Sequence, residues 1–351
     1  MSSGRRLYMK RGLGIDLGTA NTLVYYRGVG VVIDEPSVVA IDVASGNVLS
    51  VGEEAAQMIG RTPDSIHSVR PLKDGVVADY QAASAMLEYF IHKVIKQPFV
   101  FKPDLVICVP NGVTEVEKRA LVSLALKAGS NDKGTYLIEE PMASAIGAGL
   151  DVMAPKGSMV VDIGGGTTEI AVLSLGGTVC ARSLRTAGDS IDEAIDQYIR
   201  KAFGILVGER TAEQVKINIG SCYVNDETVE EKMLIKGQDA RTGKPVSAWI
   251  TNFQTAEAIY GQVKKMIDAL LSTLEQTPPE LCADIYESGI VLCGGGAMLR
   301  GLDTMIEKTT GLKVTIAPDP LECVIHGIGK VLDDPASFRH VLTHAKGSRL
   351  D

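Results

Sequence analysis

The sequence lacks the long apolar run that a membrane-spanning helix needs. Its 351 residues contain no stretch of about 18 consecutive apolar residues, and the first residues carry charge without the apolar core of a secretory signal. The spacings of zinc or redox motifs are also missing, because the 6 cysteines form no C-x-x-C pair. The 5 histidines form no H-E-x-x-H motif. We therefore expect neither a membrane span nor a zinc site.

A surplus of positive charge is missing too. The formal net charge is −8 at pH 7, which argues against nucleic acid as the main partner, since nucleic-acid binding depends largely on neutralising phosphates. Hydrophobic residues make up 45% of the chain and charged residues 22%, a balance typical of globular proteins. The length allows two domains of ordinary size. Cys108 and Cys293 stand in apolar runs, so we expect reduced core thiols in a cytosolic protein.

Short apolar runs alternate along the chain with longer stretches of helical period. These runs predict buried strands at Leu105–Val109, Met159–Ile163, Ile170–Leu175 and Ile290–Cys293. Helices are predicted over Asp79–Ile95, from a capping box at Thr114 to Lys127, from Ser190 onwards, and over about Gln254–Glu275. Strands mixed with helices in this order indicate an α/β fold.

One pattern, a strand followed by a glycine-containing turn and a second strand, occurs twice. The first copy is Leu13–Thr22 and the second is Val160–Glu169. Each has an aspartate at the end of its first strand, followed by glycine and small hydroxyl residues. Glycines let backbone N–H groups approach a phosphate closely, and an aspartate can hold Mg²⁺ directly or through its waters. The repeat therefore predicts two similar lobes that face each other across a cleft and bind a polyphosphate with its metal.

A pair of carboxylates precedes a predicted helix in the segment Ile138–Gly147. Glu139 and Glu140 stand before Pro141, which suits the first position of a helix. In a cleft, one of these carboxylates could orient the water that attacks a γ-phosphate, since phosphoryl transfer depends on positioning and charge stabilisation. The local sequence somewhat favours the plainer interpretation, an acidic first turn of a helix, and leaves both open.

Two further segments have a structural and a functional interpretation. Cys293–Leu299 runs from a strand into glycines, which predicts either a strand-to-helix turn or a close approach of the backbone to a base or ribose. Glu213 and Lys216 share one face of a predicted helix, where such a pair is usually a solvated ion pair. Other nucleotide motifs are absent. There is no G-x-x-x-x-G-K-[ST], and the early glycines have the wrong spacing for a dinucleotide fingerprint.

The two glycine segments resemble the phosphate motifs of the superfamily that contains actin, Hsp70 chaperones and sugar kinases. Longer strings are similar to the MreB family of bacterial actins: DLGTANT, EPSVVA, RPLKDGVVADY, EEPMASAIGAG, DIGGGTTEIAVLSL, GERTAEQVK, TPPEL and GGGAMLRGLD. They stand in the family's order and span about Leu13 to Asp333, nearly the whole chain. The resemblance implies an actin-like α/β fold of two RNase H-like domains around a nucleotide cleft, divided into subdomains IA, IB, IIA and IIB.

The resemblance also implies domain boundaries. Lobe I is expected at residues 1–148, with subdomain IB inserted near 32–78, and a C-terminal segment at about 325–351 is expected to return to subdomain IA. Lobe II is expected at residues 149–324, with subdomain IIB inserted near 187–250.

Roles for individual residues follow from the same resemblance. In lobe I, the residues expected to contact the phosphates and Mg²⁺ are Asp16, Gly18, Thr19, Ala20 and Asn21. In lobe II, they are Asp162, Gly164, Gly165, Gly166 and Thr167. Glu140 is expected to position the hydrolytic water together with Thr167 and Asp162, while Asp16 and Asp162 hold Mg²⁺ through waters. The residues expected around the adenosine are Glu213, Lys216, Gly294, Gly295, Gly296 and Ala297.

A short apolar segment, Phe99–Phe101, stands between Lys96 and Lys102 and is a candidate membrane contact. Exposed apolar side chains beside cations suit an anionic membrane interface. Some MreB proteins carry a similar hydrophobic loop, which corresponds here to Val100 and Phe101. Packing of this segment against its own subdomain is the alternative. The basic N-terminal segment 5–11 is a weaker second candidate, because it is short for an amphipathic helix.

The implied function is that of a cytoplasmic protein that binds and hydrolyses ATP and polymerises into filaments on the inner face of the cell membrane. Such filaments would organise membrane proteins of the wall-synthesis machinery and so determine a rod-like cell shape. The expected cofactors are ATP, ADP and Mg²⁺, and no nucleic acid is expected among the partners.

Two other ATPases of the superfamily remain as alternatives. One is an Hsp70-like chaperone, for whose substrate-binding domain this length leaves no room, and the other is a sugar-kinase-like enzyme.

Overall fold

The computed structural model describes residues 12–96 and 102–344. The elements of the first half are, in chain order, β1 (Gly12–Leu17), β2 (Asn21–Tyr26), β3 (Gly30–Pro36), β4 (Val39–Asp42), β5 (Val48–Val51), α1 (Glu53–Ala56), β6 (Ile66–Val69), β7 (Leu72–Lys73), β8 (Val76–Val77), α2 (Tyr80–Val94), β9 (Asp104–Val109), α3 (Glu115–Lys127), β10 (Thr135–Glu139) and α4 (Glu140–Gly147). The second half continues with β11 (Ser158–Ile163), β12 (Thr168–Ser174), β13 (Gly177–Leu184), α5 (Gly188–Phe203), β14 (Ile205–Leu206), α6 (Glu209–Ile219), β15 (Lys232–Asp239), β16 (Pro245–Thr251), α7 (Asn252–Glu275), α8 (Pro279–Ser288), β17 (Ile290–Cys293), α9 (Leu302–Thr310), β18 (Val314–Ile316), α10 (Cys323–Asp333) and β19 (Thr343–His344). Short 3₁₀ helices occur at Gly295–Met298, Pro320–Glu322 and Arg339–Val341.

The two large sheets share one topology. One has the strand order β19-β10-β9-β1-β2-β3, and the other has the order β13-β12-β11-β17-β18. In each sheet an antiparallel meander, β1-β2-β3 or β11-β12-β13, is extended from its first strand by two parallel strands. Parallel neighbours need long crossover connections, and helices supply them here. The predicted α/β fold with a duplicated domain is therefore confirmed.

Smaller sheets lie in the segments where insertions are predicted. Strands β4, β5 and β6 form a three-stranded sheet, and β7 pairs with β8, between β3 and α2. After α5, strands β14, β15 and β16 form another three-stranded sheet. Near the end of the described chain, α10 packs against α4, β1 and β2. The subdomain boundaries themselves stay a prediction.

Local sequence signals place most of the elements that surround the cleft. The Asp79 side chain caps α2 by accepting from two backbone N–H groups of its first turn, and Thr114 with Glu117 forms the predicted capping box of α3. The predicted helix start at Ser190 is wrong, because α5 begins at Gly188 and Ser190 lies inside its first turn. Throughout the described residues, no helix is both long and apolar enough to cross a membrane.

Helices α4 and α10 pack tightly together and contact strands of both large sheets. A Cβ atom added at Gly147 would lie 1.7 Å from the carbonyl oxygen of Cys323, and one added at Gly327 would lie 1.9 Å from that of Ala143. Such close backbone approach is possible only with glycine at both positions. Lys330 Nζ also donates to the carbonyl at the end of α4, at 2.8 Å. The helix pair is therefore the packed junction between the lobes.

The variant Gly327→Ala is expected to lower the free energy of unfolding by about 1–3 kcal/mol, because the added methyl group forces α4 and α10 apart. Gly261→Ala is the matched control, since a Cβ atom at Gly261 of α7 meets open space. That control is expected to gain about 0.5–1 kcal/mol through higher helix propensity. Urea unfolding of both variants measures the difference. Equal stability of the two variants would contradict the tight crossing.

Candidate functional site

The turn between β1 and β2 lies directly against the turn between β11 and β12. A Cβ atom added at Gly166 would lie 2.5 Å from Thr19 Oγ1, and one added at Gly165 would lie 2.9 Å from Ala20 Cβ. Thr19 Oγ1 also accepts a hydrogen bond from the Gly75 N–H, at 3.2 Å. Any side chain on either glycine would push the two turns apart. Backbone N–H groups from both lobes are thus close enough to bind one anionic ligand.

The second of these turns is held in place by the first turn of α5. The Gly164 N–H donates to the Thr167 carbonyl at 2.9 Å, which closes the turn on itself. The Gly188 and Asp189 N–H groups donate to the carbonyls of Gly164 and Gly165 at 3.0 and 2.8 Å. These bonds explain why α5 begins before Ser190. They hold the loop in this shape.

Helix α4 brings Glu140 and Ser144 to the aspartate of lobe II. The Ser144 hydroxyl bonds to the carboxylate of Asp162, which is only 3% exposed. Burial raises the pKa of Asp162 to about 7. Glu140, the first residue of α4, is partly exposed, yet the surrounding protein atoms raise its pKa well above the usual value. The negative charges of Asp162, Asp16 and Glu169 raise the pKa of Glu140 further.

Glu169 is a buried carboxylate that sequence reasoning left out of the site. It lies on β12 directly across from Asp162 of β11 and is 0% exposed. Its carboxylate accepts from the Asn111 N–H at 3.2 Å and from the Ser183 hydroxyl at 2.5 Å, which are on different lobes. Burial raises the pKa of Glu169 to about 7. The available signal was an ionisable residue within an otherwise apolar strand, because unpaired charges are rarely placed in a core.

Asp16 of lobe I receives a hydrogen bond from a cysteine. Cys108 Sγ lies 3.0 Å from Asp16 Oδ1, and Cys108 is only 6% exposed. Burial raises the pKa of Asp16 to about 6. Burial and the nearby charges of Asp16 and Glu140 raise the pKa of the Cys108 thiol well above its usual value, so the thiol stays protonated. The prediction of a reduced, buried thiol is confirmed, but this thiol also contacts the site.

The third glycine loop, Gly294–Ala297, lies beside the glycine turn between β11 and β12. A Cβ atom added at Gly294 would lie 2.5 Å from Asp162 Oδ1, and one added at Gly296 would lie 2.2 Å from Ile163 Cγ2. Gly294 has a φ angle of 77°, a backbone conformation that favours glycine. The segment forms a 3₁₀ turn after β17, so the interpretation as a turn after a strand is confirmed. The position of this loop also allows backbone contact with a ligand in the cleft.

Lys216 of α6 reaches the beginning of α5. Its Nζ atom lies 2.7 Å from Asp192 Oδ2 and 3.3 Å from the Gly188 carbonyl oxygen. The ion pair thus joins Lys216 to Asp192 on another helix rather than to Glu213 on its own. Burial raises the pKa of Asp192 to about 6, although the Lys216 charge opposes that shift. Lys216 is therefore held close to the glycine turn between β11 and β12.

An ion pair connects the lobes on this side of the cleft. Arg70, between β6 and β7, places its Nη2 atom 2.7 Å from an oxygen of Glu209, the first residue of α6. The side chains are 28% and 51% exposed, so the pair contributes little to stability on its own. The ion pair nevertheless connects the predicted IB insertion to lobe II.

Some residues predicted for the site have other partners or lie outside the described chain. The Asn21 amide donates to Asp34 Oδ1 on the neighbouring strand at 3.0 Å. A Cβ atom added at Gly295 would lie 3.0 Å from Leu321 Cδ2. Val100, Phe101 and the N-terminal segment 5–11 lie outside the described residues. The roles expected of all of these residues stay predictions.

The carboxylates around the cleft fit a divalent cation by their charge. Asp16, Asp162, Glu140 and Glu169 all have raised pKa values, and a nearby cation would favour their ionised forms. In the described ranges, no group of three or more His, Cys, Asp or Glu side chains could hold a metal ion directly. A hydrated Mg²⁺ ion needs only one or two carboxylates from the protein when it is bound together with a phosphate.

Two lobes of one topology, with a glycine turn from each lobe meeting beside buried carboxylates, define a protein of the actin-like class. Its branch of that class follows from a family comparison, in which the model of the MreB/Mbl protein family matches residues 10–340. The chain therefore belongs to the MreB/Mbl family.

Individual relatives agree with this assignment. The chain is 49% identical over 326 residues to the cell shape-determining protein MreB of Escherichia coli (strain K12), covering 92% of this chain and 93% of the relative. It is 45% identical over 324 residues to the cell shape-determining protein Mbl of Bacillus subtilis (strain 168), covering 92% and 96%. The structure of MreB5 of Spiroplasma citri bound to AMPPNP matches with a TM-score of 0.86 at 38% identity, covering 92% and 96%. A MamK double helical filament matches with a TM-score of 0.75 at 25% identity, covering 92% and 98%.

Proposed function

We propose that this chain binds ATP with Mg²⁺ between its lobes, hydrolyses it, and polymerises into filaments that determine cell shape. The observation that carries the proposal is the meeting of Thr19 and Gly166, which brings a phosphate turn from each lobe together beside Glu140 and Asp162. The relatives support it. E. coli MreB and B. subtilis Mbl determine cell shape, the S. citri structure holds AMPPNP, and MamK forms a filament. Family membership favours this function over the chaperone and sugar-kinase alternatives.

The chemistry divides among the groups that line the cleft. Backbone N–H groups of both glycine turns bind the phosphates, and the loop Gly294–Ala297 contacts the adenosine. Asp16 and Asp162 would hold Mg²⁺, which would neutralise charge on the phosphates when bound. Glu140 would orient a water molecule and accept its proton in its ionised form, which a cation bound nearby would favour over the protonated form. Thr167, buried at the end of the lobe II turn, supports that position.

One ligand shared by two lobes connects chemistry to assembly. ATP that contacts the turns of both lobes favours the closed cleft, because its binding energy is realised fully only in that conformation. A closed cleft gives the subunit one defined shape, and repeated subunit contacts in a filament need such a shape. Hydrolysis at Glu140 then weakens the link between the lobes and changes the stability of the filament.

Sedimentation with and without ATP tests this function directly. We expect the purified chain to pellet as filaments with Mg²⁺ and ATP, and to release phosphate without any added substrate. Phosphate release that requires an added sugar would favour a kinase, and release stimulated by an unfolded peptide would favour a chaperone. A chain that stays monomeric with every nucleotide would contradict the filament.

We also propose that the filaments bind the inner face of the cell membrane through Val100 and Phe101. Burial of two such side chains contributes about 3–6 kcal/mol, and Lys96 and Lys102 add attraction to anionic lipids. A filament presents many copies of this weak contact, so avidity makes the attachment stable. Membrane proteins of the wall-synthesis machinery would then be organised along the filament.

The double variant Val100→Asp/Phe101→Asp is expected to abolish co-flotation with anionic liposomes while ATP-dependent filaments still form. Two aspartates in place of apolar side chains remove the buried area and add repulsion from anionic lipid. The control is Val29→Asp/Val229→Asp, which changes two valines that are 67% and 77% exposed. Liposome flotation followed by gel analysis measures the bound fraction. Undiminished flotation of the first variant would contradict this membrane contact.

A further inference from the structure

Cys108 and Cys293 occupy equivalent places in the two lobes. In lobe I, β1 pairs in parallel with β9 up to the residues that directly precede Asp16 and Cys108. In lobe II, β11 pairs in parallel with β17, and Asp162 lies across from Cys293. The duplicated topology thus places one cysteine on the strand beside each phosphate-turn aspartate.

The two thiols nevertheless make different contacts. Cys108 Sγ lies 3.0 Å from Asp16 Oδ1 and donates its hydrogen to that carboxylate. Cys293 Sγ instead lies 4.0 Å from the Ser144 carbonyl oxygen, and the Ser144 hydroxyl contacts Asp162. Each aspartate is therefore touched by one neutral donor, a thiol in lobe I and a hydroxyl in lobe II. Of the two equivalent cysteines, only Cys108 donates a hydrogen bond to the neighbouring aspartate.

The contact between Cys108 and Asp16 has the geometry of an orienting bond. Cys108 is 6% exposed on the central strand β9, between β1 and β10, so its sulfur has a fixed position. Asp16 is partly exposed at the end of β1, and the thiol bonds to only one of its two carboxylate oxygens. The other oxygen is left for a ligand in the cleft. A desolvated carboxylate without that donor would be free to rotate and would hold its charge less readily.

We propose that Cys108 is a positioning residue, whose thiol orients the Asp16 carboxylate so that its second oxygen meets the hydrated Mg²⁺ of the bound nucleotide. This inference rests on the proposed function, since it assigns a role within the same cleft. It predicts that the thiol affects the use of Mg²⁺ rather than the fold. A cysteine that only filled space would affect stability and nucleotide binding equally with and without the metal.

The test is a titration of a fluorescent ATP analogue at a series of free Mg²⁺ concentrations, and in EDTA, on wild-type chain and three variants. For Cys108→Ala we expect the Mg²⁺ concentration that half-maximally tightens nucleotide binding to rise about threefold to tenfold, as for the loss of one ordinary hydrogen bond, since a thiol is a weak donor. Cys108→Ser keeps a donor and is expected to restore most of the wild-type response. Cys293→Ala, the equivalent cysteine of lobe II, is expected to behave as wild type. In EDTA all four proteins should bind the nucleotide alike.

Two results would overturn the inference while leaving the proposed function intact. One is a Cys108→Ala protein with the wild-type Mg²⁺ response, and the other is a Cys108→Ser protein as impaired as Cys108→Ala. A wild-type chain that binds no nucleotide with or without Mg²⁺ would overturn the proposed function and this inference together. Thermal unfolding without nucleotide accompanies each titration. A variant whose Mg²⁺ response changes only because it is partly unfolded would also lose affinity in EDTA, which counts against the inference.

Discussion

Replacing Glu140 by Gln is expected to lower the rate of ATP hydrolysis about 10²- to 10³-fold, as for the loss of a general base, while ATP still binds. Gln keeps the shape of the side chain and can still bond to a water molecule, but it cannot accept a proton. The change also removes a carboxyl group whose ionised form is disfavoured by desolvation and by the charges of Asp162, Asp16 and Glu169. The stability of the nucleotide-free variant at neutral pH is therefore expected to be no lower than that of wild type.

The matched control is Glu139→Gln, which changes the carboxylate directly before Glu140. Glu139 accepts a hydrogen bond from Thr178 Oγ1 at 2.7 Å and closes β10, so it has a structural partner of its own. Phosphate release per filament subunit, together with ATP affinity, separates the two roles. Loss of hydrolysis in Glu139→Gln but not in Glu140→Gln would assign the role of the general base to Glu139. Normal hydrolysis in both would contradict a carboxylate base in this segment.

Raising the pH from about 5 to 8 is expected to destabilise the nucleotide-free chain. Burial raises the pKa of Asp162 and of Glu169 to about 7, from ordinary values of 3.8 and 4.5. The folded chain therefore binds these protons more tightly than the unfolded chain, and the stabilisation they contribute is lost as the pH rises through 7. We expect each of the two groups to contribute a loss on the order of 3 kcal/mol between pH 5 and 7, since one pKa unit corresponds to about 1.4 kcal/mol.

Other groups with shifted pKa values do not cancel this trend. Burial also raises the pKa of Asp16 and Asp192 to about 6, which adds to the loss at the lower end of the range. The carboxylates with lowered pKa values, such as Asp42 and Asp239, change charge only below their usual value near 4. They therefore affect stability at more acidic pH. The buried carboxylates of the cleft therefore determine that stability falls between pH 5 and 8.

Urea unfolding in EDTA at several pH values measures this dependence. Glu169→Gln removes one of the titrating groups without changing its shape, so its stability should fall less steeply with pH than that of wild type. Saturating Mg²⁺ and ATP should flatten the wild-type curve, because a bound cation favours the ionised carboxylates. A wild-type stability that stays constant or rises from pH 5 to 8 would contradict the clustering of protonated carboxylates.

The duplicated architecture was predictable because its signals are local. The repeat of an aspartate and glycines in Leu13–Thr22 and Val160–Glu169 led to two lobes, and the pairing of β1–β2–β3 and β11–β12–β13 confirms the duplication. Strand β17 has the predicted bounds, because a short apolar run that ends at glycines is typical of a buried strand. The capping box at Thr114 is confirmed for the same reason.

The predictions that were wrong or missing all concern contacts between residues that are distant in the chain. The start of α5 differs from the prediction because loop carbonyls occupy the N–H groups of its first turn, an interaction that a helix signal at Ser190 does not contain. Lys216 pairs with Asp192 rather than with a residue on its own helix, because packing of α5 against α6 brings the two together. Glu169 was left out of the site because a single charge in an apolar strand does not reveal its partners.

The sequence by itself determined the α/β class, the two aspartate–glycine turns and the family. These depend on residues close together in the chain, whose periodicity and glycine content can be recognised before any folding. Only the tertiary structure decided which groups share the cleft, such as Cys108 with Asp16 and Asn111 with Glu169. These pairs are far apart in the chain, and their chemistry comes from burial and from the proximity of like charges. Both arise only when strands that are distant in the chain pack together, within one lobe for Cys108 and Asp16 and between the lobes for Asn111 and Glu169.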